Sequence, residues 1–303
     1  MAAANSPRIL VSGASGPIGT ALLPSLKSAG YQVTRLVRGV SAGDDQISWD
    51  TAQPLDPAKV SGFDAVIHLA GESIVGRWTD AKKRRILDSR TQGTRHLSEA
   101  LAKTQQRPRV FVSGSAIGYY GNRGDELLPE SSPSGEGFLP EVCREWEAAT
   151  KPAEDTGIRT VHIRTGLVLT ATGGALPKML TPFRLGLGGR MGDGRQWWSW
   201  IDIHDHIGAI HHILKSDLLQ GAVNLVAPKP VTNAEFTKVL ASVLSRPAIF
   251  PMPAFAARLA FGQMGDELLL ASQRVEAKKL VAGGYAFQYL ELRKSLENIL
   301  ARK

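Results

Sequence analysis

Cysteine is almost absent from this chain: Cys143 stands alone among 303 residues, so no internal disulfide can form. That usage fits a reducing compartment, and a cytoplasmic protein is the simple expectation. Long apolar runs are missing as well, and nothing approaches the roughly 20 residues that a membrane-spanning helix needs. Met1 to Pro7 lack a basic stretch followed by an apolar one, so they read as a short tail and not as a secretory signal. No internal repeat or low-complexity tract interrupts the sequence. What remains, with 43% hydrophobic and 21% charged residues, is an ordinary soluble composition. The length allows one large or two modest domains.

Acid is scarcer than base. Twenty-eight Asp and Glu against 36 Lys and Arg leave a formal charge of +8. The basic residues are spread, and only Lys82-Lys83-Arg84-Arg85 forms a run, inside a helical pattern where it reads as a solvated face. Nucleic acid and membrane are set aside as partners. An anionic cofactor and a small-molecule substrate account better for the bias.

The stretch Val11-Ser12-Gly13-Ala14-Ser15-Gly16-Pro17-Ile18-Gly19 organises the rest. It follows Arg8-Ile9-Leu10-Val11, a short buried-strand pattern, and precedes Ile18, Leu22, Leu23, Leu26 and Ala29, which share one helical face. A strand, a glycine-rich turn and a helix start make a phosphate site. Backbone without Cβ admits a pyrophosphate, and the helix N-terminus offers unpaired N–H groups. Pro17 in the first turn and Gly30 at the helix end fit that reading. The bland alternative is a tight turn that binds nothing.

The end of the second strand, Tyr31 to Val37, normally reads the adenosine ribose. An acid there suits NAD, whereas Arg accommodates the 2′-phosphate of NADP. No Asp or Glu lies between Val33 and Val40, Arg38 ends the strand, and Asp44 and Asp45 come too late. NADP(H) is the expected cofactor, with a plain surface arginine as the alternative.

Further strands are expected at Ile47–Trp49, with Asp50 beside the adenine, at Asp64–Leu69, at Arg109–Ser113 and at Arg159–Leu169. Ligands bind at the carboxyl ends of such strands, which brings in Leu69, Ala70 and Gly71. His68 reads as a strand residue beneath the sheet. Helices are expected over Thr79–Lys103, carrying Ser89 and Arg90, and over Leu139–Glu154. Pro24 and Pro152 fall inside helical patterns, where each costs about 3 kcal/mol or kinks the helix. The alternation predicts an α/β fold, a Rossmann-like doubly wound parallel sheet. Residues 7–170 form an NADP-binding domain, and 171–303 a smaller, substrate-side C-terminal region with a helical extension that partly returns to the sheet. His204, His206, His211 and His212 invite a metal reading, but no spacing among them matches a zinc site, and no metal is expected.

Four segments, together with the Gly-x-x-Gly-x-x-Gly turn, resemble the extended short-chain dehydrogenase/reductase superfamily. They are His68-Leu69-Ala70-Gly71, Ser113-Gly114-Ser115 with Tyr-Gly after it, Arg164-Thr165-Gly166-Leu167-Val168, and Trp200-Ile201-Asp202-Ile203-His204-Asp205. Closer still, Glu72, Ser89-Arg90, Trp146-Glu147, Pro182 to Gly189 and Thr232 to Phe236 resemble an uncharacterised NAD(P)-dependent epimerase-family branch with a small C-terminal helical extension. The resemblance spans essentially the whole chain. It implies NADP(H) held by Gly13, Ser15, Gly16, Pro17, Ile18, Gly19, Arg38, Leu69, Ala70, Gly71, Arg90, Ser113 and Val168. It also implies a homodimer through two long helices.

Active members carry a Tyr-x-x-x-Lys pair on the helix after the fifth strand. The Lys lowers the phenol's pKa and holds the ribose, while the Tyr moves the proton. Counted back from Trp146-Glu147, those positions fall on Leu139 and Cys143. Ser115 matches the usual substrate-orienting serine. Tyr119 is the candidate proton donor, with Tyr120 and Glu141 as further candidates, each equally readable as structural. The expected function is NADP-dependent oxidoreductase or epimerase chemistry on a small carbonyl or hydroxyl compound. A non-catalytic NADP(H)-binding sensor or scaffold is the alternative that the missing pair favours.

Overall fold

The computed structural model describes residues 6–40 and 43–301; the start of the expected tail lies outside them. Seven parallel strands form the central sheet: β1 (Arg8–Ser12), β2 (Gln32–Val37), β3 (Gln46–Ser48), β4 (Ala65–His68), β5 (Val110–Ala116), β6 (Arg159–Thr165) and β7 (Gly221–Leu225). Their order is β7-β6-β5-β4-β1-β2-β3, so the winding reverses between β1 and β4. This is the Rossmann-like arrangement the alternation predicts.

Both sheet faces are covered, which is why the strands read as nearly continuous apolar runs. Side chains alternate between faces along each strand. Ile9, Val11, Ile67, Val112 and Ile163 turn to α1 (Pro17–Ser28) and α4 (Ile203–Lys215). Leu10, Val66 and Phe111 turn to Leu97 and Leu101 of α2 (Asp80–Lys103). A separate core of Leu176, Phe183, Trp198, Trp200, Phe236 and Leu296 builds the C-terminal region.

Two expected elements break. The helix expected to run to Glu154 stops as α3 at Phe138–Ala148, and a new turn begins at Lys151–Glu154. Pro152 therefore sits in a first turn, where its missing N–H costs little. Pro24 does lie inside α1. The sixth strand ends at Thr165 because Gly166 bends the chain away, and a Cβ there would lie 2.5 Å from the Ser199 carbonyl oxygen. Leu167–Leu169 then pairs in parallel with Trp200–Asp202 outside the main sheet.

The end of the chain is tied back to α4. Asp205 is fully buried and accepts from the Tyr285 hydroxyl (3.1 Å) and from the backbone N–H groups of Gln288 (2.8 Å) and Tyr289 (2.9 Å). Asp202, equally buried, caps α4 and accepts from Ser295 Oγ at 2.6 Å. Among the described residues no helix is long and apolar enough to cross a membrane.

Candidate active site

The glycine turn between β1 and α1 meets the turn after β4 backbone to backbone. Gly13 has φ +71°, and a Cβ there would lie 2.5 Å from the Leu69 carbonyl carbon. A Cβ on Gly19 would lie 2.4 Å from the Gly13 oxygen. These two positions need glycine for close approach, which leaves Gly16 to cap α1. It does so without a side-chain bond, and Pro17 follows in the first turn. The N–H groups opening α1 therefore face outward without a side-chain acceptor, as an anion requires. Ser15 and Pro17 are exposed, while Ile18 packs on the core. Gly173, in the loop after Leu167–Leu169, rests on the Pro17 ring; a Cβ there would approach it to 2.6 Å. Half-buried Leu69 and Val168 lie against the same core as Ile18.

Arg38 follows β2 and is exposed. Of the two acids that follow along the chain, Asp44 and Asp45, the second is engaged elsewhere, since Asp45 pairs with Arg35 at 2.8 Å and approaches Lys27 at 3.8 Å. Asp50 forms a local turn, accepting from the Ala52 N–H at 3.0 Å.

Adjacent residues of α2 clamp the turn after Gly71. Ser89 Oγ accepts the Glu72 N–H at 3.0 Å, and Arg90 Nη1 donates to the Glu72 carbonyl at 3.0 Å. The Arg90 guanidinium lies 5.0 Å over the Trp146 ring, and a Cβ on Gly71 would sit 3.1 Å from its central carbon. Burial lowers its pKa, opposed by Cys143 and Glu72. The Glu72 carboxylate itself pairs with Lys82 at 2.7 Å.

Strand register explains the next group. Ser12, His68, Ser113 and His162 stand side by side on the α2 face. His68 shares a 2.5 Å hydrogen bond with Ser12 Oγ, and burial pulls its pKa to about 4. Two residues further along, Ser115 stands beside Arg164. Both meet Glu147 from α3. Ser115 Oγ donates to Glu147 Oε1 at 2.7 Å, and Arg164 grips both carboxylate oxygens, at 2.8 and 2.9 Å. Arg164 also donates to the Tyr120 hydroxyl (3.0 Å), which donates to Asn224 Oδ1 (2.8 Å). The Tyr119 ring lies face-on to the guanidinium at 3.4 Å. Tyr120 is fully buried, and burial raises its pKa, so it reads as structural. Tyr119 is only half-buried, and Glu141 is exposed on the far side of α3.

Leu139 and Cys143, the positions of the expected pair, face the segment Ile117–Tyr120; a Cβ on Gly118 would lie 3.3 Å from Leu139 and 3.8 Å from the Cys143 sulfur. Burial pushes the Cys143 thiol up to about 12. A cavity of about 210 Å³ opens beside Leu139, lined also by Gly121, Asn122, Arg258, Asp266 and Glu267. A second hollow, about 280 Å³ around Asp64, Arg107 and Arg109, lies at the opposite edge of the sheet, away from the glycine turn. The four histidines of α4 go to separate partners: Asp202, Thr165, Ser25 and the Gly283 carbonyl.

Sequence reading missed Glu147 as the link between Ser115 and Arg164. The available signal was Arg164 itself, a charge inside an otherwise buried strand that had to find a partner. It also missed Glu267, for which no local pattern exists.

Residues 9–225 match the model of the NAD dependent epimerase/dehydratase family, and residues 252–299 match a domain of unknown function, DUF1731. An epimerase family protein of Mycobacterium tuberculosis is 40% identical over 283 residues, 93% of each chain. The human epimerase family protein SDR39U1 is 37% identical over 299 residues, covering 97% of this chain and all of the human one. The crystal structure of human SDR39U1 (isoform 2) with NADPH superimposes with a TM-score of 0.90, at 36% identity, covering 98% of this chain and 100% of that one. The nucleoside-diphosphate sugar epimerase of Corynebacterium glutamicum follows at TM-score 0.82 and 36% identity, covering 97% of this chain and 58% of its own. The expected superfamily is thereby established: the chain belongs to the NAD dependent epimerase/dehydratase family, is similar to SDR39U1-type epimerase family proteins, and ends its matched span in a DUF1731 region.

Proposed function

We propose that the protein binds NADP(H) along the carboxyl edge of the sheet and carries out oxidoreductase or epimerase chemistry on a small carbonyl or hydroxyl compound. The observation that carries this reading is the open start of α1 facing Leu69 to Gly71, with Arg38 and no acid at the end of β2. Gly13, Ser15, Gly16, Pro17, Ile18 and Gly19 cradle the pyrophosphate, and Arg38 meets the 2′-phosphate. Leu69, Ala70, Gly71, Arg90, Ser113 and Val168 border the rest. The NADPH bound by the human relative supports the choice of cofactor. Residues 7–170 hold the nucleotide, and residues 171–303 cover the substrate in the cavity beside Leu139.

When bound, the nicotinamide supplies a hydride. Ser115 orients the substrate oxygen, and Tyr119 is its proton partner. Ser115 already donates to Glu147, so it presents its hydroxyl oxygen, an acceptor, towards a substrate hydroxyl. With Leu139 and Cys143 where a phenol and an ammonium are expected, proton transfer is slow. Positioned acid–base groups typically contribute about 10²–10⁴-fold.

A second reading, a non-catalytic NADP(H)-binding sensor or scaffold, is favoured by the same two positions. Titration calorimetry tests the shared part: NADPH binds more tightly than NADH by about 1.5–3 kcal/mol, the worth of a charge-assisted pair. Arg38→Asp abolishes or reverses that preference. Equal affinities in the native protein would sink the cofactor assignment. Following NADPH absorbance against a panel of carbonyl compounds separates enzyme from sensor, and Ser115→Ala and Tyr119→Phe should slow any reaction found. The reading carries with it a cytoplasmic setting and a homodimer, the latter checked by light scattering.

A further inference from the structure

Arg90 has more donors than its structural task uses. Its bonds to the Glu72 and Ile86 carbonyls, at 3.0 and 3.1 Å, both come from Nη1. Among the described residues Nε and Nη2 have no hydrogen-bond partner, and both lie beside Gly71, 3.4 and 3.2 Å from where a Cβ would stand. Glycine at 71 is thus what leaves these N–H groups uncovered. The flat side of the guanidinium rests on Trp146, less than one helical turn beyond Cys143 on α3. The side chain thus spans the gap from α2 to α3 at the carboxyl edge between β4 and β5.

Cys143 adjoins that gap, close enough for its sulfur and the Arg90 guanidinium to act on each other. We propose that Arg90 supplies from α2 the positive charge and hydrogen-bond donors at the nicotinamide ribose that a lysine on α3 supplies elsewhere in the superfamily. Cys143 and Arg90 are then one exchange: the charge has moved to the facing helix, and the vacated position has become a small apolar group. The guanidinium also acts on Cys143, opposing the rise of its thiol pKa. A guanidinium is permanently charged and offers a planar fork, which suits paired ribose hydroxyls. It does not replace the tyrosine, so this chain keeps the ribose clamp and lacks the phenol.

The inference rests on the NADP(H) reading above, and two ligands separate their failures. NADPH is compared with 2′-phospho-ADP, which keeps the 2′-phosphate and both bridging phosphates but lacks the nicotinamide ribose. If neither binds the native protein, the NADP(H) reading fails. If both bind, Arg90→Met, which keeps an unbranched stem over Trp146, is expected to weaken NADPH about tenfold or more and to leave 2′-phospho-ADP within about twofold. Cys143→Lys added to Arg90→Met should recover most of the lost NADPH affinity, since the charge returns to the same gap from α3. Arg90→Lys, checked for folding by thermal unfolding, should hold NADPH within about fivefold. Equal losses for both ligands would overturn the proposal, as would an unchanged NADPH affinity in Arg90→Met. So would the absence of recovery in a folded double variant, or Arg90→Lys falling as far as Arg90→Met.

Discussion

Glu267, deep in the C-terminal region, holds Leu139 by its backbone: its carboxylate accepts the Leu139 N–H at 2.8 Å and the Phe138 N–H at 3.1 Å. The cap of α3 thus arrives from almost 130 residues away. Gly137, the local N-cap, has no side chain to offer and adopts φ +115°, and a Cβ there would lie 3.2 Å from the Glu267 carboxylate. Glu267→Ala should cost about 0.5–2 kcal/mol, the usual worth of an N-cap. Gly137→Ala should cost at least as much, from strain and from displaced Glu267. Denaturant unfolding of both variants checks this, and an unchanged midpoint in either would contradict it.

Glu147 and Arg164 form a buried bidentate pair. Glu147→Ala strands a guanidinium in the core and should cost about 3–5 kcal/mol. Glu147→Ala with Arg164→Met removes the stranded charge and should recover more than half of that loss. A double variant no more stable than the single one would show that the pair is not the main term.

His68 and His206 are buried neutral, with pKa values pulled by burial to about 4 and about 3 from 6.5. The unfolded chain takes up these protons near pH 6.5 and the native one does not. Their contribution to stability is therefore full above pH 6.5 and falls as the pH drops towards 4. For His68 the loss across that window is about 3 kcal/mol. His68→Gln should flatten the decline measured by denaturant unfolding at pH 7 and pH 4.5. Parallel curves for native protein and variant would refute it.

Cys143 should be chemically quiet, because only the thiolate reacts and burial holds the thiol up to about 12. Labelling with a disulfide reagent at pH 8 should proceed only as fast as the protein opens, and NADPH should slow it no further than it slows unfolding. Rapid stoichiometric labelling would point instead to a reactive cysteine beside the cofactor.

The nucleotide half was legible because its signals are local. The apolar run Arg8 to Val11, the three glycines and the helical repeat from Ile18 lie within about twenty residues of one another. The sheet followed from alternation, and the proposal for Arg38 rests on an equally local sign, the missing acid. What stayed hidden depends on distant partners. The break after Ala148 reflects how residues 149–152 pack, with the Thr150 carbonyl taking the Ser98 hydroxyl of α2 and its own hydroxyl meeting His162. Gly166 ends β6 because Ser199 crowds it, a contact no window of neighbouring residues contains. Ser115 is a candidate by type alone, and its engagement with Glu147 needs the register of β5 on β6 and the rotation of α3.

The tie between α4 and the end of the chain bears on how the protein is made. Asp202 and Asp205 belong to the start of the helix that covers the sheet beside α1, yet Tyr285, Gln288, Tyr289 and Ser295, which donate to them, are translated 80 to 93 residues later. Until the ribosome has released these residues, Asp205 lacks all of its side-chain donors and Asp202 keeps only those of His204, so that face of the sheet cannot close without burying an unpaired charge. Nascent chains should accordingly wait in a partly docked form, with the glycine turn built and α4 still loose. A stop codon before Tyr285 would then damage the nucleotide half from 80 residues beyond Asp205.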